Sequence, residues 1–254
     1  MSSLKEIKTR IASVKNTLKI TSAMKMVASA KLHKAQTAIG NKLPYEQKLH
    51  HILAGLLEDD DLQKAMHDNL GFGNPHGHSA VVLEDVGLDQ IPSKDVYPRI
   101  AVVAISSNSS LCGAFNANVI KKYQETINIL ENQGYAKEDI DIYVIGRKIA
   151  EAVRKSGYTV LDDRSELADK PSYDAAFDLA SDLVDSFVSG GVSQVVLVYS
   201  HFASPASQPV IRENYLPLPL HDYDGTDGDP VDYILEPGPL SLVKHLLPQV
   251  LLMK

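Results

Sequence analysis

Tryptophan is absent from this 254-residue chain, and aromatic residues make up only 6% of it. Single-stranded nucleic acid is usually held on aromatic stacking platforms, so that class of partner is poorly provided for. Cysteine occurs once, at Cys112, which excludes an internal disulfide and suits a reducing compartment. No apolar run approaches the ~18 residues of a membrane-spanning helix, and stretches such as Ala101–Ile105 have only strand length. The opening residues Met1-Ser2-Ser3-Leu4-Lys5-Glu6 contain no apolar signal core, so secretion is not expected.

What is present divides sharply. With 44% hydrophobic and 22% charged residues, the chain can bury a real core as one large domain, or one domain with an extension. The net charge of −7 conceals an asymmetry. Residues 1–50 carry ten Lys/Arg against two Asp/Glu, a charge of +8. The other 204 residues carry fifteen against thirty, a charge of −15. A basic N-terminal segment is joined to an acidic body.

The N-terminal segment reads as one helix. Neither Gly nor Pro occurs before Gly40, and Ala, Lys, Leu and Met are abundant. Leu4, Ile7, Ile11, Val14 and Leu18 follow the 3-4-3-4 spacing of a coiled-coil seam. The seam then shifts phase, reappearing at Ile20, Met24, Val27, Ala28, Leu32, Ala35 and Ile39, in the manner of a stutter. Beyond Pro44, where a kink is expected, Leu49, Ile52, Leu53, Leu56 and Leu57 resume it. A helix of this length runs roughly 80 Å, and no other predicted helix is long enough to cover its apolar stripe. Either the chain self-associates or the covering surface belongs to another molecule. Lys5, Lys8, Arg10, Lys15, Lys19, Lys25, Lys31 and Lys34 give the helix a basic surface. A solvated face, an acidic protein, nucleic acid and an anionic membrane surface all fit that charge.

The body reads as α/β. Residues 58–98 look like an irregular connection; Asp59–Asp61 with His67, His76 and His78 match no metal-ligand spacing, so no metal is expected. From Ile100 the pattern alternates. Strands are expected at Ile100–Ser106, Ile140–Ile145, Tyr158–Leu161, Ser193–Phe202 and Gln208–Leu218. Helices are expected at about 117–133, with Asn116 as N-cap and Gly134 as stop, at Arg147–Ser156, and at about 172–189. The last should bury Tyr173, Ala176, Phe177, Ala180, Leu183, Val184 and Phe187 and expose Asp174, Asp178, Asp182 and Asp185. This predicts a Rossmann-like, mostly parallel sheet covered by helices. The turn Ser106–Gly113 contains no phosphate-binding glycine motif, and neither Cys112 nor any Ser lies in a nucleophile motif. No catalytic residue, cofactor site or metal site is expected. An α/β ligand-binding domain with a dimerising basic helix, and a nucleic-acid binder using that helix, remain open on these grounds.

A resemblance goes further. Residues 4–36, including Ile20-Thr21-Ser22-Ala23-Met24-Lys25-Met26-Val27-Ala28, closely resemble the start of the F-type ATP synthase gamma subunit. Leu111-Cys112-Gly113 with Asn116, Val144-Ile145-Gly146-Arg147-Lys148, Leu216-Pro217-Leu218, Tyr233-Ile234-Leu235-Glu236-Pro237 and Leu246-Leu247-Pro248 agree in order. Asn108-Ser109-Ser110 departs from the family's Asp-Arg/Lys-Gly, and residues 58–80 are longer than in typical bacterial members.

The resemblance implies a non-catalytic central rotor stalk. It divides the chain into a shaft helix (1–57), a connecting segment (58–98), an α/β domain (99–237) and the start of a C-terminal helix (238–254). The family's second shaft helix is expected to be missing beyond Lys254, which would leave the N-terminal stripe exposed. Leu4, Ile7, Ile11, Val14 and Leu18 become shaft-packing residues, and Lys19, Ile20, Met24, Lys25 and Val27 become stator-facing. The implied partners are the alpha and beta subunits, the epsilon subunit and the c ring, with no nucleic acid and with the membrane met only through the complex. The implied location is peripheral, on the cytoplasmic face of the cell inner membrane.

Overall fold

The computed structural model describes residues 4–57, 73–74, 78–79, 81–82, 99–204 and 206–219, together with 236, 238, 241–242, 246 and 249–250. The chain divides into two compact units, Met1–Lys48 and Leu49–Lys254. Helix α1 (Leu4–Leu57) runs unbroken through Gly40 and Pro44 and contributes its last nine residues to the second unit.

The second unit alternates strand and helix: β1 (Ile100–Ile105), α2 (Phe115–Asn132), β2 (Ile140–Ile145), α3 (Arg147–Lys155), β3 (Val160–Asp163), α4 (Tyr173–Val188), β4 (Gln194–Ser200) and β5 (Val210–Leu216). The sheet order is β3-β2-β1-β4-β5. The first four strands are parallel, and β5 returns antiparallel to β4. Ala104 stands opposite both Val144 and Val198, fixing the register at the centre.

Both faces of the sheet are covered, which is why β1 is apolar at every position. Successive side chains alternate between two cores. Ala101, Val103 and Val195 face Leu179, Leu183 and Phe187 of α4, Leu49, Leu53 and Leu56 at the end of α1, and Val250. Ile100, Val102, Ala104, Ile142, Val144, Val196 and Val198 face Tyr123, Ile127 and Leu130 of α2 and Ile149, Ala150 and Val153 of α3. Leu242, Leu246 and Val250 adjoin the first core, and Ser241, Leu242, Leu246, Gln249 and Val250 are helical.

Several local expectations need correction. Helix α2 begins at Phe115, its cap position is held by Ala114, and no side chain caps it. Asn116 therefore sits inside the first turn and is recruited by the preceding loop. The third strand lies two residues later than expected, because Tyr158 is drawn into the core while Leu161 points outward, 58% exposed. Along α4 the phase is right but the buried length is shorter. Leu179, Leu183 and Phe187 are buried, whereas Tyr173, Ala176 and Phe177 lie on exposed turns. The aspartates at 174, 178, 182 and 185 are all exposed. Apart from three two-residue strands, the irregular segment 58–98 lies outside the described residues, as do Asp59–Asp61, His67 and His76.

Candidate functional site

In an open α/β sheet, ligands gather where the strand order reverses, outside the carboxyl ends of the strands. Here that point is β1, flanked by β2 and β4. The loop after β1, from Ser106 to Ala114, is the place where a nucleotide would sit in such a fold.

The loop is occupied by its own side chains. Asn108 Oδ1 accepts from the Arg147 backbone N–H at 2.8 Å, and Ser106 Oγ accepts from the Ile149 N–H at 3.0 Å. These are two of the first three N–H groups of α3, the donors an anion would take at a helix start. Asn108 also donates through Nδ2 to the Ser165 carbonyl (2.9 Å) and Asp169 Oδ2 (2.7 Å). Asn116 Oδ1 accepts from the Ser107 N–H at 3.0 Å, while its Nδ2 donates to Ser109 O and Cys112 Sγ. The Ser106–Asn116 region is thus a self-satisfied knot, with chemistry that holds backbone rather than phosphate. Residue-type reasoning missed the part played by Asn108. Its signal was the preference of Asn and Ser for unpaired helical N–H groups, but the helix they serve is distant in sequence.

The second candidate is the part of α1 that lies in the first unit, residues 4–48, where the residues singled out from the sequence are all exposed. Leu4, Ile7, Ile11, Val14 and Leu18 are between 46% and 72% exposed. Ile20, Met24 and Val27 are also at least half exposed, and Lys19 and Lys25 are exposed. The structure places the two groups along one helix and brings neither against another described element. Between the apolar positions, Thr9, Thr17, Thr21 and Thr37 donate their hydroxyls to the carbonyls four residues back, at 3.0–3.1 Å. The helix presents apolar side chains and ammonium groups, with its threonine protons already spent.

Among the described residues no cluster of three or more His, Cys, Asp or Glu is arranged to hold a metal, and no helix is long and apolar enough to cross a membrane.

A sequence model of the family described as ATP synthase matches residues 3–254. A curated relative from Bacteroides fragilis, an ATP synthase gamma chain, is 45% identical over all of this chain and 80% of its own length. The chain belongs to the ATP synthase gamma family. A gamma chain from Phocaeicola vulgatus is 44% identical with the same coverage, and one from Flavobacterium psychrophilum is 36% identical. The chain thus spans about four-fifths of the length of these gamma chains. The fold agrees with a solved chain of the Tetrahymena thermophila mitochondrial ATP synthase central stalk and c-ring, with a TM-score of 0.54 at 19% identity. That match covers 92% of this chain and 88% of the other. Gamma-family membership makes this a non-catalytic central rotor subunit of the ATP synthase complex. It also accords with a Ser106–Asn116 loop built to hold shape and not substrate.

Proposed function

We propose that α1 forms part of a shaft turning inside a ring of alpha and beta subunits, while the α/β body meets the epsilon subunit and the c ring. Ion flow turns the c ring and the body with it. The asymmetric shaft then presents a different surface to each catalytic subunit in turn. Rotation does work because each surface favours a different nucleotide state, so differential binding is converted into release of ATP. The chain stays peripheral, on the cytoplasmic face of the inner membrane, and meets the membrane only through the complex. It needs no cofactor of its own.

The observation that carries this reading is the exposed stripe on a 54-residue helix with cations around it. Leu4, Ile7, Ile11, Val14 and Leu18 would pack within the shaft, where covering five such side chains supplies on the order of 10 kcal/mol before ordering costs. Lys19, Ile20, Met24, Lys25 and Val27 would face the stator. There the charges guide acidic partner loops, and short or flexible apolar side chains slide without locking.

The test is charge reversal at Lys25. In the assembled ATP synthase, Lys25→Glu should reduce ATP-driven proton pumping several-fold relative to ATP hydrolysis. Unchanged pumping per ATP hydrolysed would remove Lys25 from the coupling surface.

A further inference from the structure

On the side of the body away from the Ser106–Asn116 knot, α2, the turn Lys137–Asp139 and the residues leading into β3 enclose a cleft of about 360 Å³. Tyr123 forms part of its floor. The residue is 1% exposed, and its hydroxyl is buried with no hydrogen-bond partner among the described residues. Tyr158 beside it is satisfied, its hydroxyl donating to Glu131 Oε1 at 2.5 Å. Burial pushes both phenols well above their ordinary range, and the neighbouring Glu131 adds to it, so both hydroxyls keep their protons. An unpaired buried O–H is costly to leave so, which points to an acceptor that the described residues do not provide.

The rim narrows what that acceptor belongs to. Glu131 and Lys137 oppose one another in charge, so the cleft favours neither an anion nor a cation. Lys137 Nζ lies 4.8 Å from the centre of the Tyr158 ring and 3.3 Å from the Ser156 carbonyl oxygen. It covers the ring face on which a planar base would stack. Gln124 and Asn128, one helical turn apart on α2, present exposed amides above the floor. Two amides and a carboxylate over a phenolic donor match a molecule with several adjacent hydroxyls, each able to give and accept a hydrogen bond. The volume lies at the low end for ligand pockets, which suits one small ring.

We propose that this cleft binds a small uncharged polyol or monosaccharide, one ligand oxygen accepting from Tyr123 and its neighbours bonded by Gln124, Asn128 and Glu131. The Tyr123 hydroxyl is occluded at rest, so the ligand reaches it as the exposed ends of Gln124 and Glu131 move aside. The site is separate from the shaft surface and does not depend on it.

Calorimetric titration of the full chain with glucose and with myo-inositol, beside thermal melting, tests this and tells the two ligand types apart. The expected result is saturable binding of one of them, weakened at least tenfold by Tyr123→Phe and also by the exposed substitution Asn128→Ala. Unliganded Tyr123→Phe should melt at the same temperature or higher, because it removes an unpaired hydroxyl. Three results would overturn the proposal. One is a rise in Tm that never saturates and is equal in Tyr123→Phe, the signature of solute exclusion. Another is a lower Tm for unliganded Tyr123→Phe, which would mean the hydroxyl is satisfied by a structural water. The third is the absence of saturable binding of either glucose or myo-inositol.

Discussion

Gly146 stands where β2 turns into α3, at φ +111°, with an added Cβ falling 2.2 Å from the Ser106 carbonyl oxygen. The start of the loop after β1 cannot retreat easily, because the Ser106 N–H is bonded to the Ile145 carbonyl at 2.7 Å. Two penalties therefore combine at one residue, a backbone region closed to L side chains and a steric clash. Gly134, which ends α2 at φ +94°, carries only the first, since nothing lies within 4 Å of its missing Cβ. Gly146→Ala should cost about 3 kcal/mol and Gly134→Ala about 1 kcal/mol, read from the shift of the urea unfolding midpoint. Equal costs would mean that the close approach of Gly146 to Ser106 is not what fixes the turn. The same contrast separates what could be read from the sequence from what could not. Gly134 was recognisable as a helix stop from local pattern. The need for glycine at 146 arises from a residue forty positions earlier, and Asn108 serves partners 39, 57 and 61 positions away. Asn116 shows a different failure, a capping signal outbid by the loop just before its helix, which needed its amide.

Among the elements, period was legible and extent was not. Ile140–Ile145 was recoverable to the residue because an apolar run broken only by Asp141 stands there between polar turns. The edge strand β3 misled because its most apolar stretch, Tyr158–Leu161, includes one residue that packs before the strand begins and one that points to solvent. In α4 the 3.6-residue period gave the correct face, yet the stripe continues past the end of the covering core. Tyr173 and Phe177 form a ring pair 6.1 Å apart on those outer turns. Phe187 is fully buried, while Phe177 is 38% exposed. Phe187→Ala should therefore cost about 3–5 kcal/mol, and Phe177→Ala less than about 1 kcal/mol, since it leaves no closed cavity. Comparable losses in thermal unfolding would place Phe177 in the core as the periodicity first suggested. On α1 the stripe and its phase shift were legible for the same reason, a long run with no breaker. What covers the stripe was not, because a distant packing partner leaves no local trace in it.

For the molecule as a whole, the charge split of +8 over residues 1–50 and −15 over the rest is a property no single contact explains. If the basic segment enters an acidic ring, attraction acts over the screening length before any side chain touches. That length is about 10 Å at 0.1 M salt and about 3 Å at 1 M. Steering of this kind raises association rates far more than it slows dissociation. The lasting hold would come from the stator-facing apolar residues Ile20, Met24 and Val27, which salt does not screen. Raising salt from about 0.05 to 0.5 M should accordingly slow association of the chain with alpha–beta assemblies by about tenfold or more and leave dissociation within about threefold. Replacing both Lys19 and Lys25 by Gln should flatten the salt dependence of the association rate. The melting of the body should not change, since both side chains are exposed on the first compact unit. Stopped-flow association at several salt concentrations reads both effects. A salt-independent association rate would assign capture to those apolar residues alone and leave the basic surface as a solvated face.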